Sequence, residues 1–199
     1  MKLKRFGCFC LALLVLYSVM LSVLPNANAV ASRRVLAVPK VRQAQSAWCW
    51  AACIKSVIQF SQNRSVSQPT IVAALFGGIV NRPATANQIK YTMNQFQLSS
   101  TIGRALSMDM IDSNLSGRQP IIGGFIKNKN GHLVVVRGYI ATPPDRAVSS
   151  TEEYDILYMN PAYGTYEYQS YANLCNPTSP THWFWNESLY NITNLRLNL

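Results

Sequence analysis

Acidic side chains are scarce in this chain: eight Asp and Glu stand against eighteen Lys and Arg over 199 residues, a formal charge of +10. Basic runs are short as well, since no stretch of Lys and Arg exceeds two. The positive charge is therefore spread out, which excludes a basic arm or patch of the nucleic-acid-binding kind and leaves only a diffuse attraction to anionic surfaces. Histidines number two and no Cys-x-x-Cys occurs, so there is no zinc-ligand spacing. Five cysteines are too few for a disulfide-dense miniprotein. Internal repeats, heptads and low-complexity tracts are missing, which excludes solenoids, coiled coils and disordered tails. With 49% apolar residues, what remains is one compact domain.

The sole long apolar run lies at the start. Lys2, Lys4 and Arg5 precede an apolar stretch from Phe6 to Leu24, followed by Pro25 and Ala27-Asn28-Ala29. A basic start, an apolar centre and an A-x-A end predict a secretory signal peptide over residues 1–29, cleaved after Ala29. No later run reaches spanning length, so no membrane span is expected in the rest. The exported chain would hold 170 residues with a charge of +7 and three cysteines, Cys49, Cys53 and Cys175. An oxidising compartment favours disulfides, and three thiols leave one over. A bridge between Cys53 and Cys175 with Cys49 free is the expected pairing; three reduced, buried thiols are the alternative.

Residues 30–37 read as a short patternless leader before a domain over 38–199. Ser46 is the expected N-cap of a helix running to about Gln62, with apolar positions 50, 54, 57 and 58 on one face. Further helices are predicted from Gln68 to Phe76, stopped by Gly77-Gly78, from about Ala86 to Phe96 behind a Thr85/Gln88 capping box, and between Ser107 and Gly117. After Pro120 the pattern shifts to short β-branched and aromatic runs at 121–126, 133–140, 154–159 and 165–169, with Asn128 to Gly131 as a hairpin turn and Pro143 to Glu153 as a polar loop. Helices first and antiparallel strands second predict an α+β fold.

The chemistry gathers on a few side chains. Cys49 falls in the first turn of the first helix, where free N–H groups and the helix dipole favour a thiolate. His132 follows Gly131 at the start of an apolar strand, and Asn160, before Pro161, closes the next. If those strands are antiparallel neighbours, His132 and Asn160 share one rim, and Asn160 can fix the imidazole tautomer. Gln43, six residues before Cys49, is placed to donate its amide to a developing oxyanion beside the Cys49 N–H. Trp48, Trp50 and Trp183 are candidate cleft walls, and His182 reads as packing or cleft lining.

Gln43, the run Trp48-Cys49-Trp50-Ala51-Ala52-Cys53, the pair Gly131-His132 opening a strand and Asn160-Pro161 closing the next resemble the papain-like cysteine peptidases. The Trp-Cys-Trp form and the lead-in from Val38-Pro39 to Gln43 are more similar to the bacterial branch that includes bacteriocin-processing peptidases and a plant-pathogen effector protease. The resemblance spans roughly residues 38–165. It implies Cys49 as nucleophile, His132 as general base and then acid, Asn160 as the residue orienting His132, Gln43 as oxyanion donor, a protein or peptide substrate, and no cofactor. The chain departs from the plant and lysosomal pattern in lacking Cys-Gly-Ser/Ala-Cys-Trp, and in having 83 residues from Cys49 to His132, a spacing that implies reduced substrate-binding subdomains. Where the bacterial branch often has Asp-Pro, this chain has a neutral Asn160. Another Cys-His acyl-transfer or amidase enzyme, or a binding module on the same scaffold, are the competing expectations.

Overall fold

The computed structural model describes residues 32–143, 153–178 and 181–195. The proposed signal segment and most of the polar loop after Pro143 lie outside the described residues. In chain order the elements are β1 (Arg33–Val35), α1 (Cys49–Gln62), α2 (Gln68–Phe76), α3 (Ala86–Gln95), β2 (Leu98–Arg104), α4 (Met108–Ser116), β3 (Ile121–Lys127), β4 (Asn130–Thr142), β5 (Glu153–Asn160), β6 (Thr165–Ser170), α5 (Tyr171–Leu174) and β7 (Phe184–Asn194). The chain adopts the expected α+β class. Its antiparallel sheet runs β2-β7-β3-β4-β5-β6, with β1 pairing the far end of β4. Among the described residues no helix is long and apolar enough to cross a membrane.

Local chemistry explains the helix ends. Ser67 and Ser107 accept the N–H of Thr70 and Met110 and cap α2 and α4. The Thr85/Gln88 capping box opens α3 as the sequence predicts, each side chain meeting the other's backbone. Gly77 closes α2 at a φ of 72°, a left-handed turn that costs a side-chain-bearing residue more than glycine. The periodic face of α1 places Trp50, Ile54, Val57 and Ile58 in the core, where α1 packs on β4. Strands β3 and β4 lie centrally and are buried over Ile121–Phe125 and Leu133–Val136, which is why those stretches read as continuous apolar runs. Phe125 joins the core edge-on to Tyr158, with ring centroids 5.4 Å apart, and packs on Trp185 at 5.7 Å.

Three expectations need correction. The leader is not patternless: Arg33–Val35 forms β1 against Ile140, Tyr139 and Gly138, and Leu36 and Val38 are buried behind it. Asp112 of α4 ties this strand down, accepting from Arg34 Nε and from the Tyr139 hydroxyl, both at 2.7 Å. The hairpin forms between the right strands, but its turn is Asn128-Lys129, both at positive φ; Asn130 already pairs with Lys127. The Cys53–Cys175 bridge is not formed, and all three described cysteines are free. Cys53 is sealed on the core face of α1, while Cys175 is exposed just past α5, so neither thiol is presented to the other.

Sequence patterning did not announce β7, which pairs with β3, or β2, which pairs with β7 at the sheet edge. Bulges explain why. The β7 register shifts at Asn186, against Gly124/Phe125, and again near Asn191, whose φ is 52°. Each extra residue resets the in–out alternation on which strand recognition depends.

Gly138 is the tightest point where β1 meets β4. A Cβ there would run into the Arg34 carbonyl oxygen and stand 3.0 Å from Val35 Cα, both rigid backbone atoms. Gly138→Ala is expected to cost about 1–3 kcal/mol of stability by overpacking. A thermal melt checks this; an unchanged midpoint would show that β1 is not docked against β4 as described.

Candidate active site

The nucleophile candidate begins its helix without a side-chain cap. Trp48, not Ser46, holds the N-cap position and offers no capping hydrogen bond. Ser46 instead accepts from Asn81 Nδ2 at 2.9 Å. The first intrahelical bond runs from Ala52 N–H to the Trp48 carbonyl, which leaves the amides at the start of α1 for another acceptor. The backbone amides of Leu133, Trp50 and Cys49 lie around the Cys49 sulfur. Burial pushes the Cys49 thiol up from its ordinary range, and these three amides pull it back down. Cys53, a turn further along, is driven well up by burial, with the neighbouring Cys49 adding to the effect, and stays an inert thiol.

Leu133 is the neighbour of His132, so its amide carries the sulfur to the start of β4. The β4–β5 register, Val135 with Met159, means that Pro161 ends β5 where Leu133 would otherwise find a strand partner. His132, Leu133, Cys49 and Trp50 all line one cleft of about 180 Å³, walled by Pro83 and Ala84 on one side and Asn186 and Glu187 on another.

At the same rim His132 Nε2 lies 2.8 Å from Asn160 Oδ1. Amide oxygen only accepts, so Nε2 carries the hydrogen and donates it, which leaves Nδ1 with the free lone pair. Asn160 is itself fixed. Its Oδ1 also accepts the Ala162 N–H at 3.0 Å, and its Nδ2 donates to Glu167 Oε2 at 2.9 Å. Burial lowers the His132 pKa, while the bond to Asn160 and the charge of Glu167 raise it again. The Trp183 ring lies 5.8 Å from the imidazole, so this tryptophan covers His132 instead of lining the cleft.

The other candidates divide. Trp50 lines the cleft, but Trp48 is buried away from it. The two indoles act together on the wall behind the nucleophile: Trp48 Nε1 donates to the Val80 carbonyl at 2.8 Å and Trp50 Nε1 to the Arg82 carbonyl at 3.0 Å. Asn81 adds a third tie, accepting the Ala47 N–H at 3.0 Å. His182 is exposed and off the cleft lining. Gln43 sits next to the site, its N–H bonded to the Pro161 carbonyl at 2.8 Å. Its amide, however, is turned onto its own loop, with Nε2 donating to the carbonyls of Gln45 and Ser46 at 2.9 and 2.8 Å and Oε1 buried without a partner. Two residues went unnoticed in the sequence. Buried Gln68 clamps this loop through Arg42 O and Ala44 N at 2.7 and 2.9 Å, and Glu167 backs Asn160. Neither carries a local motif; a lone Gln in a helix and a lone Glu in a strand look like solvated surface until strand register is known.

No curated protein matches the sequence. Among solved structures, the peptidase domain of Streptococcus ComA, a bi-functional ABC transporter involved in quorum sensing, superposes with a TM-score of 0.53 at 15% identity, covering 77% of this chain and 97% of that one. That likeness shows the fold. UfSP from C. elegans reaches a TM-score of 0.47 at 12% identity over 86% of this chain and 36% of its own, too loose to carry an argument. The sequence match is more specific. Residues 32–174, most of the chain and all four of Gln43, Cys49, His132 and Asn160, match the family described as papain-like cysteine protease AvrRpt2, and the chain belongs to that family of cysteine peptidases.

Proposed function

We propose that this peptidase is exported and hydrolyses peptide bonds through Cys49, His132 and Asn160. The observation that carries the reading is the one cleft that Cys49 and His132 line together, with the imidazole's Nε2–H committed to Asn160. In the proposed sequence Nδ1 of His132 takes the thiol proton as Sγ attacks the substrate carbonyl. The Cys49 N–H holds the oxyanion, the imidazolium returns its proton to the leaving amine, and a thioester forms. Water, activated by the same nitrogen, then attacks the thioester and releases Cys49. The amides around the sulfur favour negative charge as it develops there and oppose the burial that disfavours a resting thiolate.

Alkylation with iodoacetamide and mass mapping tests the pair. His132→Ala is expected to slow labelling of Cys49 about tenfold near neutral pH, with exposed Cys175 as an internal control. Equal Cys49 rates in the two proteins would sink the pairing. The sign of the pH dependence follows from the base: His132 must be neutral to act, and burial holds its pKa below the ordinary 6.5. Peptidase kcat/KM should therefore persist as the pH falls to that value and decline only beneath it.

Gln43 would serve as the second oxyanion donor by exchanging one of its two loop carbonyls for the substrate oxygen. Gln43→Ala then lowers kcat about a hundredfold with little change in KM. A residue that only ties its loop would instead lose melting temperature and leave kcat intact.

Export rests on the basic start, the apolar run and Ala27-Asn28-Ala29. Recovered from outside the producing cell, the protein should begin at Val30. An intact amino terminus retained in the cell would contradict the reading.

A further inference from the structure

Asn160 orients the base but carries no charge, and the structure shows where a charge is held instead. Glu167 on β6 faces Tyr158 across the β5–β6 pair, two residues from the register pair of Asn160 with Thr165. Its Oε2 accepts from Asn160 Nδ2 at 2.9 Å, its Oε1 accepts from Thr165 Oγ1 at 2.9 Å, and the Tyr158 phenol bonds to the same carboxylate. Three donors from one hairpin thus converge on one carboxylate directly behind the residue that holds His132.

We propose that Glu167 is a positioning residue of the catalytic site: acting through Asn160, it supplies the negative charge that stabilises the imidazolium and locks the His132 tautomer. The proposal rests on the Cys49–His132–Asn160 reading and deepens it. The lock follows from the amide's two ends. With Nδ2 bound to a carboxylate, Oδ1 must face His132 and the Ala162 N–H. A flipped amide would set Oδ1 against the Glu167 oxygens and Nδ2 against the Nε2 hydrogen, losing all three bonds at once. The charge effect follows from polarisation. As Nδ1 takes the proton from Cys49, positive charge develops on the ring, and the Nε2–H···Oδ1 and Nδ2–H···Oε2 bonds carry the carboxylate's field to it in a poorly solvated setting. Tyr158 stays a donor throughout, because burial and Glu167 push its pKa up to about 12.

The other charged groups nearby do not duplicate this role. Cys49 of α1 and Glu187 of β7 line the same cleft as His132. Lys40 and Arg137 stack on the ring of Tyr166, at 4.7 and 3.9 Å from its centroid. Tyr166 precedes Glu167 on the strand, so strand alternation turns it to the other face of β6. Arg42 lies against Gly164 in the turn before β6.

Two readouts on the full chain test the proposal. The first is the NMR titration of His132 in a Cys49→Ala background, readily assigned because the chain has two histidines. The second is peptidase kcat/KM with Cys49 present. Glu167→Gln keeps the shape and removes the charge; it is expected to move the His132 midpoint to lower pH and to reduce kcat/KM about tenfold, mostly in kcat. Asn160→Asp combined with Glu167→Gln moves the charge one residue inward and should restore both, a rescue that a purely structural role would not give. Should Glu167→Gln fail to fold, Glu167→Asp, which withdraws the carboxylate by one methylene, should also lower the midpoint. An unchanged His132 midpoint in a folded Glu167 variant overturns the proposal, and so does a double variant no faster than Glu167→Gln alone. If the wild type cleaves no peptide while the His132 midpoint still responds to Glu167→Gln, the reaction assignment fails and the relay stands.

Discussion

The site depends on one meeting point: the start of α1 against the start of β4, where Cys49, His132 and Leu133 line one cleft. Both elements arrive there with unspent hydrogen-bonding groups. The helix has no capping side chain, so its first amides look for an acceptor. The strand outruns β5, because Asn160-Pro161 closes that strand early and leaves Leu133 paired with Gly124 of β3 alone. An uncapped helix and an early end to β5 bring backbone amides near the sulfur, where they oppose the upward pull of burial on its pKa.

Much of this was legible because it is local. Cys49, His132 and Asn160 each sit at an element boundary that composition marks: the first turn of a periodic helix, a Gly-His before a Val run, an Asn-Pro after one. The antiparallel pairing of neighbouring β4 and β5 then puts the last two side by side. What escaped notice depends on register or on alternation. β7 hides behind two bulges, and β1 is three residues long. Glu167 becomes meaningful only once β6 is known to pair Tyr158 with Glu167. Ser46 was the reasonable cap by residue type, yet the helix starts two residues after the place that type would predict, and the hydroxyl serves Asn81 instead.

The tryptophans illustrate how a motif can be read correctly and understood wrongly. Flanking aromatics beside a nucleophile suggest cleft walls. Their indole N–H groups, however, both reach the carbonyls of the 80–82 segment, and that segment leads into Pro83 and Ala84, the actual wall. Trp48 thus shapes the cleft at one remove, while Trp50 both lines it and holds that wall. Trp183, far along the chain, does the complementary task by shielding the imidazole, which keeps the His132–Asn160 bond out of water. Water at that bond would compete for Nε2–H and weaken the tautomer that leaves Nδ1 free.

Distributing the site over two halves of the chain has an energetic consequence. Cys49 and His132 are 83 residues apart, so the chain between them must be closed into a loop before either side chain gains a partner. The sheet supplies that closure, since β3, β4 and β5 are the central buried strands and α1 packs onto β4. The site therefore cannot assemble in a partly folded chain, because Cys49, His132 and Asn160 come from three elements that meet only in the completed core. In an unfolded chain Cys49 has neither the amides near its sulfur nor an imidazole in the same cleft. Reactivity is then a property of the tertiary structure and not of the Trp-Cys-Trp sequence itself.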